Sequence, residues 1–190
     1  MKKTINEIYS VSPYKKGYKN NTKFNIKTEG SDVYGEVTQE GTDNLVKRFY
    51  GSFDENCVFY DLGSGIGKMV LHIGMQYKIK KSIGIELSKE RHQGAINLKE
   101  QYAKDNNNIE FYCKSFLNHN LSDATVIYMD NTVYPKNICE SIYKLLPKGC
   151  LVLYKKPFDS KFLPGDKQNK IKGLVKRTYD QNDLYWAIKE

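Results

Sequence analysis

The sequence predicts an α/β domain: a mostly parallel sheet with helices on both faces and a C-terminal antiparallel pair of strands. Between Val58 and Tyr154, short apolar segments alternate with longer amphipathic ones, an order that favours a parallel sheet. A glycine-rich turn directly follows the first apolar segment. After Lys155 the pattern changes to two β-prone segments joined by a polar turn, which is typical of a hairpin.

Composition narrows the class of protein. The chain has 190 residues, enough for one domain with a sizeable core, and a formal net charge of +8. This charge favours an acidic partner, either nucleic acid or a nucleosome, although an ordinary basic protein is the alternative. The mean hydropathy is −0.64 and no apolar stretch has the length of a membrane span or a signal peptide, so we expect neither. The cysteines and histidines lack metal-ligand spacing, so we expect free thiols and no bound metal.

The N-terminal part, residues 1–32, is polar and rich in lysine and shows no strong helical period. We interpret it as a basic arm, which is either flexible and in contact with phosphates or a solvated lead-in. The folded domain is then expected to span residues 33–190.

Periodicity, capping signals and turn residues predict the elements in order. Helices are expected where apolar residues recur at three- and four-residue spacing, and Ser88 is an expected N-cap. Strands are expected where β-prone apolar runs stop at polar residues or glycine. The predicted helices are Gly41–Tyr50, Lys68–Tyr77, Ser88–Lys104 and Pro135–Leu146. The predicted strands are Val58–Asp61, Ser82–Glu86, Ile109–Tyr112, Ala124–Met129, Cys150–Tyr154, Leu174–Thr178 and Leu184–Ile188.

The glycine-rich turn from Asp61 to Gly67 has the sequence D-L-G-S-G-I-G. Glycine lets the backbone approach a ligand closely, and the helix beginning at Lys68 directs its N–H groups at that ligand. A dinucleotide loop would have its third glycine one residue later, and a phosphate-binding loop would be longer and carry a hydroxyl where Met69 stands. The pattern therefore favours S-adenosylmethionine (SAM), whose loop resembles D-x-G-x-G-x-G, while a glycine turn that only packs the helix is the alternative. Glu86, at the end of the next strand, suits a ribose diol.

Three further stretches accompany this motif. They are V-Y-G-E at residues 33–36, V-I-Y-M-D-N-T-V-Y at residues 126–134 and K-P-F at residues 156–158. Together with the glycine loop they resemble the disruptor-of-telomeric-silencing family of histone methyltransferases. The resemblance implies that residues 33–190 form a class I, Rossmann-like SAM methyltransferase domain without a SET domain. It also implies that the substrate is a lysine on the globular core of histone H3 in nucleosomes.

The resemblance implies which residues bind SAM. Tyr34 and Glu36 would lie over its methionine end, and Asp61 would hold its amino-acid end. Glu86 would bind the ribose hydroxyls, and Phe116 would contact the adenine ring. The backbone of the loop would contribute through Gly63, Ser64, Gly65 and Gly67.

Two positions depart from the family pattern. Ser115 stands where the family usually has an aspartate before the adenine-contacting phenylalanine, and its hydroxyl can still form one hydrogen bond. Asp130-Asn131-Thr132 replaces N-N-F after the fourth strand. Asp130 is therefore expected to contact the cofactor beside the transferred methyl group. There it would position the target amine, and it is a candidate to accept the proton of that amine.

The acceptor lysine must be neutral to attack a methyl group. A dry aromatic channel favours the neutral form because burial lowers the pKa of an ammonium group. The resemblance implies that Tyr185 or Trp186 lines this channel, and Tyr134 is a further candidate wall. Tyr34 and Asn131 complete the residues expected around the reacting groups. We expect that no strong general base is required.

Basic side chains predict how the chain would meet chromatin. In the family, the loop after the fifth strand contacts the acidic patch of the histone octamer. That loop is Lys155–Lys172 here, and the expected nucleosome contacts are Lys161, Lys167, Lys170 and Lys172. A solvated surface loop without a partner is the alternative. The basic arm would touch DNA phosphates. We expect a monomer that acts in the nucleus, the host nucleus if the source is a virus or microbe.

Two alternatives to this function stay open. One is a methyltransferase of RNA, another protein or a small molecule, because D-N-T-V-Y loosely resembles motifs of amino-group methyltransferases that act on bases. The other is a non-catalytic module that binds nucleosomes or DNA and keeps the cofactor fold.

Overall fold

A computed structural model describes residues 2–12, 35–178 and 181–190. The helices of this part are α1 (Lys2–Ser10), α2 (Gln39–Arg48), α3 (Lys68–Gln76), α4 (Lys89–Tyr102) and α5 (Lys136–Leu145). The strands are β1 (Val58–Leu62), β2 (Lys81–Glu86), β3 (Ile109–Cys113), β4 (Val126–Met129), β5 (Leu151–Tyr154), β6 (Asn169–Lys176) and β7 (Gln181–Ile188). None of these helices has the length and apolar character needed to cross a membrane.

The strands of the described residues form one sheet in the order β3-β2-β1-β4-β5-β7-β6. The strands β1 to β5 are parallel, and β7 pairs antiparallel with both β5 and β6. After β1, the chain adds β2 and β3 on one side of it and then places β4 on the other side. The strand order reverses between β1 and β4, and ligands bind at such a switch point, outside the carboxyl ends of the strands. The predicted fold class is confirmed.

Burial on both faces explains the continuous apolar sequences of the central strands. Every residue of β1, β4 and β5 is buried. On one face of the sheet, α1 to α4 contribute Ile8, Leu45, Val70 and Leu98 to a hydrophobic core. On the other face, α5 contributes Ile142. Helices therefore cover both faces, as the alternation of segments predicts.

The N-terminal helix corrects one expectation. We found no helical period in residues 1–32, yet residues 2–10 form α1, so that expectation is wrong for this part of the predicted arm. Ile5 and Ile8 are fully buried in the core that α1 shares with α2 and α3. Ile5, Ile8 and Tyr9 do stand at three- and four-residue spacing, but this signal covers only nine residues within a long polar segment. Tertiary packing stabilises so short a helix more than helix propensity does. Tyr34 and the rest of residues 13–34 lie outside the described residues.

The lysine-rich loop is shorter than expected. β6 begins at Asn169, so Lys170 and Lys172 lie on a strand rather than in the loop. This strand is at the edge of the sheet and most of its residues are exposed. The apolar alternation that identifies a strand is therefore absent before Leu174. Lysines are common on edge strands because they discourage pairing with another chain.

The β6–β7 hairpin fixes the segment that follows residue 34. The backbone of Val37 pairs antiparallel with that of Arg177. The amide of Thr178 donates a hydrogen bond of 2.9 Å to the Glu36 carbonyl. The end of the V-Y-G-E stretch is thereby held at the carboxyl edge of the sheet, close to the end of β4.

Gly41 lies where α2 touches this hairpin. A Cβ atom at this position would lie 2.9 Å from the Lys176 amide nitrogen and 2.9 Å from the Val37 side chain. Alanine favours a helix over glycine by about 1 kcal/mol, but the contact with fixed backbone outweighs this gain. We expect Gly41→Ala to lower the free energy of unfolding by about 1–3 kcal/mol, measured by urea titration.

The matched control is Gly51→Ala, because no atom lies within 4 Å of a Cβ at that position. This variant should differ from the unchanged chain by no more than about 0.5 kcal/mol. Equal stability of the two variants would contradict the close packing of α2 on the hairpin.

Candidate active site

A cleft with about 470 Å³ of open space lies at the carboxyl edge of β1 and β4. Its lining combines three acidic side chains, one basic side chain and the glycine loop. These residues include Glu36, Asp61, Asp130, Lys68, Gly63, Ser64 and Gly65. The topology thus brings separate parts of the chain to the switch point of the sheet. The described residues include no group of three or more histidine, cysteine or acidic side chains placed to hold a metal ion.

The glycine loop has a backbone that other residues rarely adopt. The φ angles of Gly63, Gly65 and Gly67 are 94°, 57° and 79°. The Gly63 amide donates a hydrogen bond of 2.8 Å to the Ile85 carbonyl, which ties the turn to β2. A Cβ atom at Gly67 would lie 2.5 Å from the Phe111 ring. Glycine is therefore required both for the turn and for the close packing of α3 on the sheet.

Asp61 is the acid that faces the cleft from β1. Only 7 % of this residue is exposed. Burial and the nearby carboxylates of Glu86 and Asp130 raise the pKa of Asp61 to about 8. Among the described residues, no basic side chain offsets this effect. A cationic group of a ligand would stabilise the ionised form of Asp61.

Glu86 links the glycine loop to the start of α4 through hydrogen bonds. Its two carboxylate oxygens accept hydrogen bonds of 2.8 Å from the Gly65 amide and from the Ser88 amide. Burial raises the pKa of Glu86. Ser88 also caps α4, as predicted, because its hydroxyl accepts a hydrogen bond from the Arg91 amide. Each carboxylate oxygen can accept a further hydrogen bond, so binding of a ribose by Glu86 stays a prediction.

Asp130 follows β4 and is bonded through both carboxylate oxygens. Oδ2 accepts a 3.0 Å hydrogen bond from the Nε of Arg177, and Oδ1 accepts a 2.5 Å hydrogen bond from the Thr132 hydroxyl. The fully buried Arg177 side chain also donates to the Tyr128 hydroxyl at 3.0 Å. Charge-assisted bonds of this kind fix the orientation of a carboxylate. The orientation of the Asp130 carboxylate is therefore restricted, and its expected roles, positioning the target amine and accepting its proton, stay predictions.

Asn131 connects the end of β4 to the K-P-F turn. Its side-chain nitrogen donates to the Lys156 carbonyl at 2.8 Å, and its oxygen accepts from the amides of Lys155 and Lys156 at 3.0 and 2.7 Å. It lines a second cavity, with about 620 Å³ of open space, together with Tyr134 and Phe158. These bonds hold β4 and β5 together, and a place for Asn131 around the reacting groups stays a prediction.

The residues expected near adenine lie on the other side of the glycine loop. The Ser115 hydroxyl caps a short 3₁₀ turn by accepting from the Leu117 amide at 3.3 Å. The rings of Phe116 and Tyr134 are 5.4 Å apart. The Tyr134 hydroxyl donates to the Leu62 carbonyl at 2.9 Å. Tyr134 therefore lies beside the glycine loop with Phe116 packed against it. The contact of Phe116 with adenine and the role of Tyr134 as a wall of the lysine channel stay predictions.

The two aromatic residues expected at the channel point to opposite faces of β7, as neighbours on a strand must. Tyr185 stacks on Tyr154 with 6.1 Å between ring centroids, and Trp186 packs edge-on against Phe49 at 5.7 Å. The described lining of the cleft contains neither Tyr185 nor Trp186. Tyr34 lies outside the described residues. The channel roles of Tyr185 and Trp186, and the place of Tyr34 over the methionine end of SAM, stay predictions.

The lysines expected to contact nucleosomes are exposed and lie away from the cleft lining. They are Lys161, Lys167, Lys170 and Lys172. Lys167 pairs with Glu190, and Lys170 pairs with Asp183, each at 2.6 Å. Exposed ion pairs contribute little to stability, so these lysines can exchange their partners for acids of another molecule at small cost.

Sequence reasoning missed two ion pairs at the cleft, each with a buried basic side chain. Lys68 pairs with Glu36 at 2.7 Å, and their side chains are 4 % and 10 % exposed. Arg177 pairs with Asp130. The position of Lys68 directly after the last glycine of the loop was an available signal, whereas no local pattern distinguishes Arg177 from a surface arginine.

Comparison with known proteins extends these findings. A family model described as "Histone methylation protein DOT1" matches residues 10–178. A curated relative, the H3 lysine-79 specific histone-lysine N-methyltransferase of Dictyostelium discoideum, is 26 % identical over 80 % of this chain and 9 % of its own length. The enzyme with the same name from Caenorhabditis elegans is 31 % identical over 55 % of this chain and 12 % of its own length. The chain thus spans about a tenth of these curated relatives.

Solved structures bear on the fold alone. An RNA methyltransferase from Salinibacter ruber, in complex with S-adenosyl-L-homocysteine, has a TM-score of 0.61 at 22 % identity, covering 81 % of this chain and 93 % of its own. A methyltransferase from Geobacter sulfurreducens has a TM-score of 0.61 at 13 % identity, covering 81 % of each chain.

The predicted resemblance and the prediction of a SAM-dependent methyltransferase fold are confirmed. Because the family match covers most of its length, this chain belongs to the family of the histone methylation protein DOT1.

Proposed function

We propose that this chain transfers a methyl group from SAM to a lysine on the globular core of histone H3 in nucleosomes. The observation that carries the proposal is the family match, which spans residues 10–178 and includes the glycine loop and the cleft. The curated relatives are named for lysine 79 of histone H3. The proposal extends that class of substrate to this chain.

The described residues suit the amino-acid end of SAM. An ammonium group would bind Asp61, because its buried carboxyl group faces the cleft without a basic partner among these residues. Ser64 also lines the cleft, and its buried Oγ has no hydrogen-bond partner among the described residues. A polar group of the ligand that reached this atom would satisfy it. The N-terminal end of α3 is partly positive and favours a carboxylate.

The chain's part in the reaction is alignment. Bound SAM supplies a methyl group on a positively charged sulfur, and holding the amine in line with that bond can lower the barrier by several kcal/mol. Asp130 would accept a hydrogen bond from the target amine and orient it. Arg177 and Thr132 would keep the carboxylate in place. Exclusion of water would favour the neutral form of the amine.

The proposed partner is the nucleosome, met in the nucleus by a monomer of this chain. The basic N-terminal segment after α1, residues 11–32, would contact DNA phosphates, and the four exposed lysines named above would contact the acidic patch of the octamer. The net charge of +8 supports this, because it raises the rate at which an acidic partner is encountered.

Asp61→Asn removes the proposed anionic partner of SAM. We expect at least about a tenfold loss of SAM affinity, measured by isothermal titration calorimetry. The affinity of the unchanged chain should rise between pH 6 and pH 8. The reason is that the complex requires an ionised carboxylate, whereas the pKa of Asp61 in the free chain is about 8. The variant should lack this rise.

Stability provides the control for Asp61→Asn. The pKa of Asp61 is raised on folding from 3.8 to about 8, so the folded chain binds more protons than the unfolded chain between these values. The contribution of Asp61 to stability therefore falls as the pH rises from about 4 to about 8. Asp61→Asn should stabilise the free chain at pH 8 while it weakens binding, and Asp105→Asn, at an exposed position, should do neither. Joint loss of stability and binding in Asp61→Asn would contradict this account.

Methyl transfer distinguishes the proposed substrate from its alternatives. We expect mass spectrometry to find added methyl groups on a core lysine of histone H3 after incubation of nucleosomes with the chain and SAM. Free histones and RNA, tested in parallel, should gain few or none. Transfer to RNA instead of histone would show that histone H3 is not the substrate. Binding of SAM without transfer to any of these would favour the non-catalytic module.

Charge reversal tests the surface proposed to meet the octamer. Lys167→Glu with Lys170→Glu should weaken nucleosome binding about tenfold or more in a gel-shift assay and leave SAM affinity unchanged. The matched control is Lys78→Glu with Lys104→Glu, which changes the net charge equally at exposed positions elsewhere. Equal losses in both double variants would mean that total charge, and not this surface, determines binding.

A further inference from the structure

Lys68 is a buried cation in an unfavourable place. It is the first residue of α3 and only 4 % of it is exposed. The N-terminal end of a helix repels positive charge, and a buried ammonium group without partners is strongly destabilising. The partners of Lys68 must therefore account for its position.

Two of these partners come from the end of α1. The Lys68 ammonium donates to the Val11 carbonyl at 2.6 Å and to the Tyr9 carbonyl at 3.4 Å. The last carbonyls of a helix lack partners within the helix and attract cations. Lys68 thus caps the C-terminal end of α1, although Lys68 and Val11 are 57 residues apart in sequence.

The third partner belongs to the cleft. The Lys68 ammonium lies 2.7 Å from the Glu36 carboxylate, which lines the cleft next to Asp61. The same ammonium group therefore bonds α1 on one side and a residue proposed to contact SAM on the other. This arrangement also distinguishes Lys68 from the lysine of a phosphate-binding loop, because its donors are directed at carbonyls and a carboxylate.

α1 is held in place by contacts of its own. Ile5 and Ile8 are fully buried. The Tyr9 hydroxyl lies 2.9 Å from the Thr42 hydroxyl and 3.2 Å from Nδ1 of His72. The carbonyls at the end of α1 are therefore presented to Lys68 at a defined position.

We infer that Lys68 is a positioning residue that couples the docking of α1 to Glu36, so that α1 is part of the SAM-binding unit. The inference rests on the proposed function, because it requires that the cleft binds SAM. When α1 leaves its place, Lys68 loses two of its acceptors. Of its described partners only Glu36 then remains, so the position of the Lys68–Glu36 pair is less restricted.

A double-mutant cycle tests this coupling. Ile8→Ala loosens α1, and Lys68→Met removes the charge while keeping a side chain of similar length. We expect Ile8→Ala to weaken SAM binding about tenfold in calorimetry when Lys68 is present, and less than about twofold when Lys68 is methionine. Tyr9→Phe, which removes only a hydroxyl, should act in the same direction and provides a variant that leaves the core filled.

The control variant is Ile142→Ala, which opens a similar cavity in α5 on the opposite face of the sheet. Its effect on SAM affinity should be the same with Lys68 or with methionine at position 68. Hydrogen exchange in the free chain gives a second measurement: Lys68→Met should speed exchange of the amides of residues 5–11, and Ile142→Ala should not.

These measurements distinguish loss of the coupling between α1 and Glu36 from absence of SAM binding altogether. Non-additive losses for Ile8→Ala and Lys68→Met, together with faster exchange in α1, support the coupling. Additive losses, or unchanged exchange in Lys68→Met, overturn it while the proposed function stands. Absence of saturable SAM binding by the unchanged chain overturns both.

Discussion

The hydrogen bonds that Glu86 accepts from the Gly65 and Ser88 amides hold the candidate site in shape. A buried carboxyl group is costly unless its oxygens are bonded, and these two amides give Glu86 a fixed place. The same bonds fix the glycine loop on one side and the start of α4 on the other. The loop then determines where α3 begins, and with it the position of Lys68. One buried acid thus sets the positions of two helices and the floor of the cleft.

The other charged side chains at the cleft are Glu36, Lys68, Asp130, Arg177 and Asp61. Glu36 is paired with Lys68 and Asp130 with Arg177, so their charges are largely compensated inside the protein. Asp61 faces the same cleft without a basic partner among the described residues. Its raised pKa reflects the free-energy cost of ionising this buried carboxyl group. A cationic ligand would remove that cost. The free protein thus gives up some stability in order to bind, which is common at functional sites.

Asp130, where the chain departs from the family pattern, has a charged partner from a distant part of the sequence. The aspartate is compensated by Arg177, which the C-terminal hairpin brings to the end of β4. Only Arg177 is fully buried in this pair, so removal of Asp130 would leave a buried charge without this partner. The hairpin is therefore part of the site as well as of the sheet, because it also fixes the backbone of Glu36 through Thr178.

The sequence by itself determined the order of the strands and of helices α2 to α5, the glycine loop, and the acids Asp61 and Glu86 near the ends of the first two strands. These features depend on local periodicity and on backbone conformations that only glycine adopts readily. Only the tertiary structure decided that α1 exists and which bases compensate which acids. Lys68 and Glu36 are 32 residues apart, and Arg177 and Asp130 are 47 residues apart. Such pairs form because the sheet topology brings distant segments to one edge, where burial makes an unpaired charge too costly to persist.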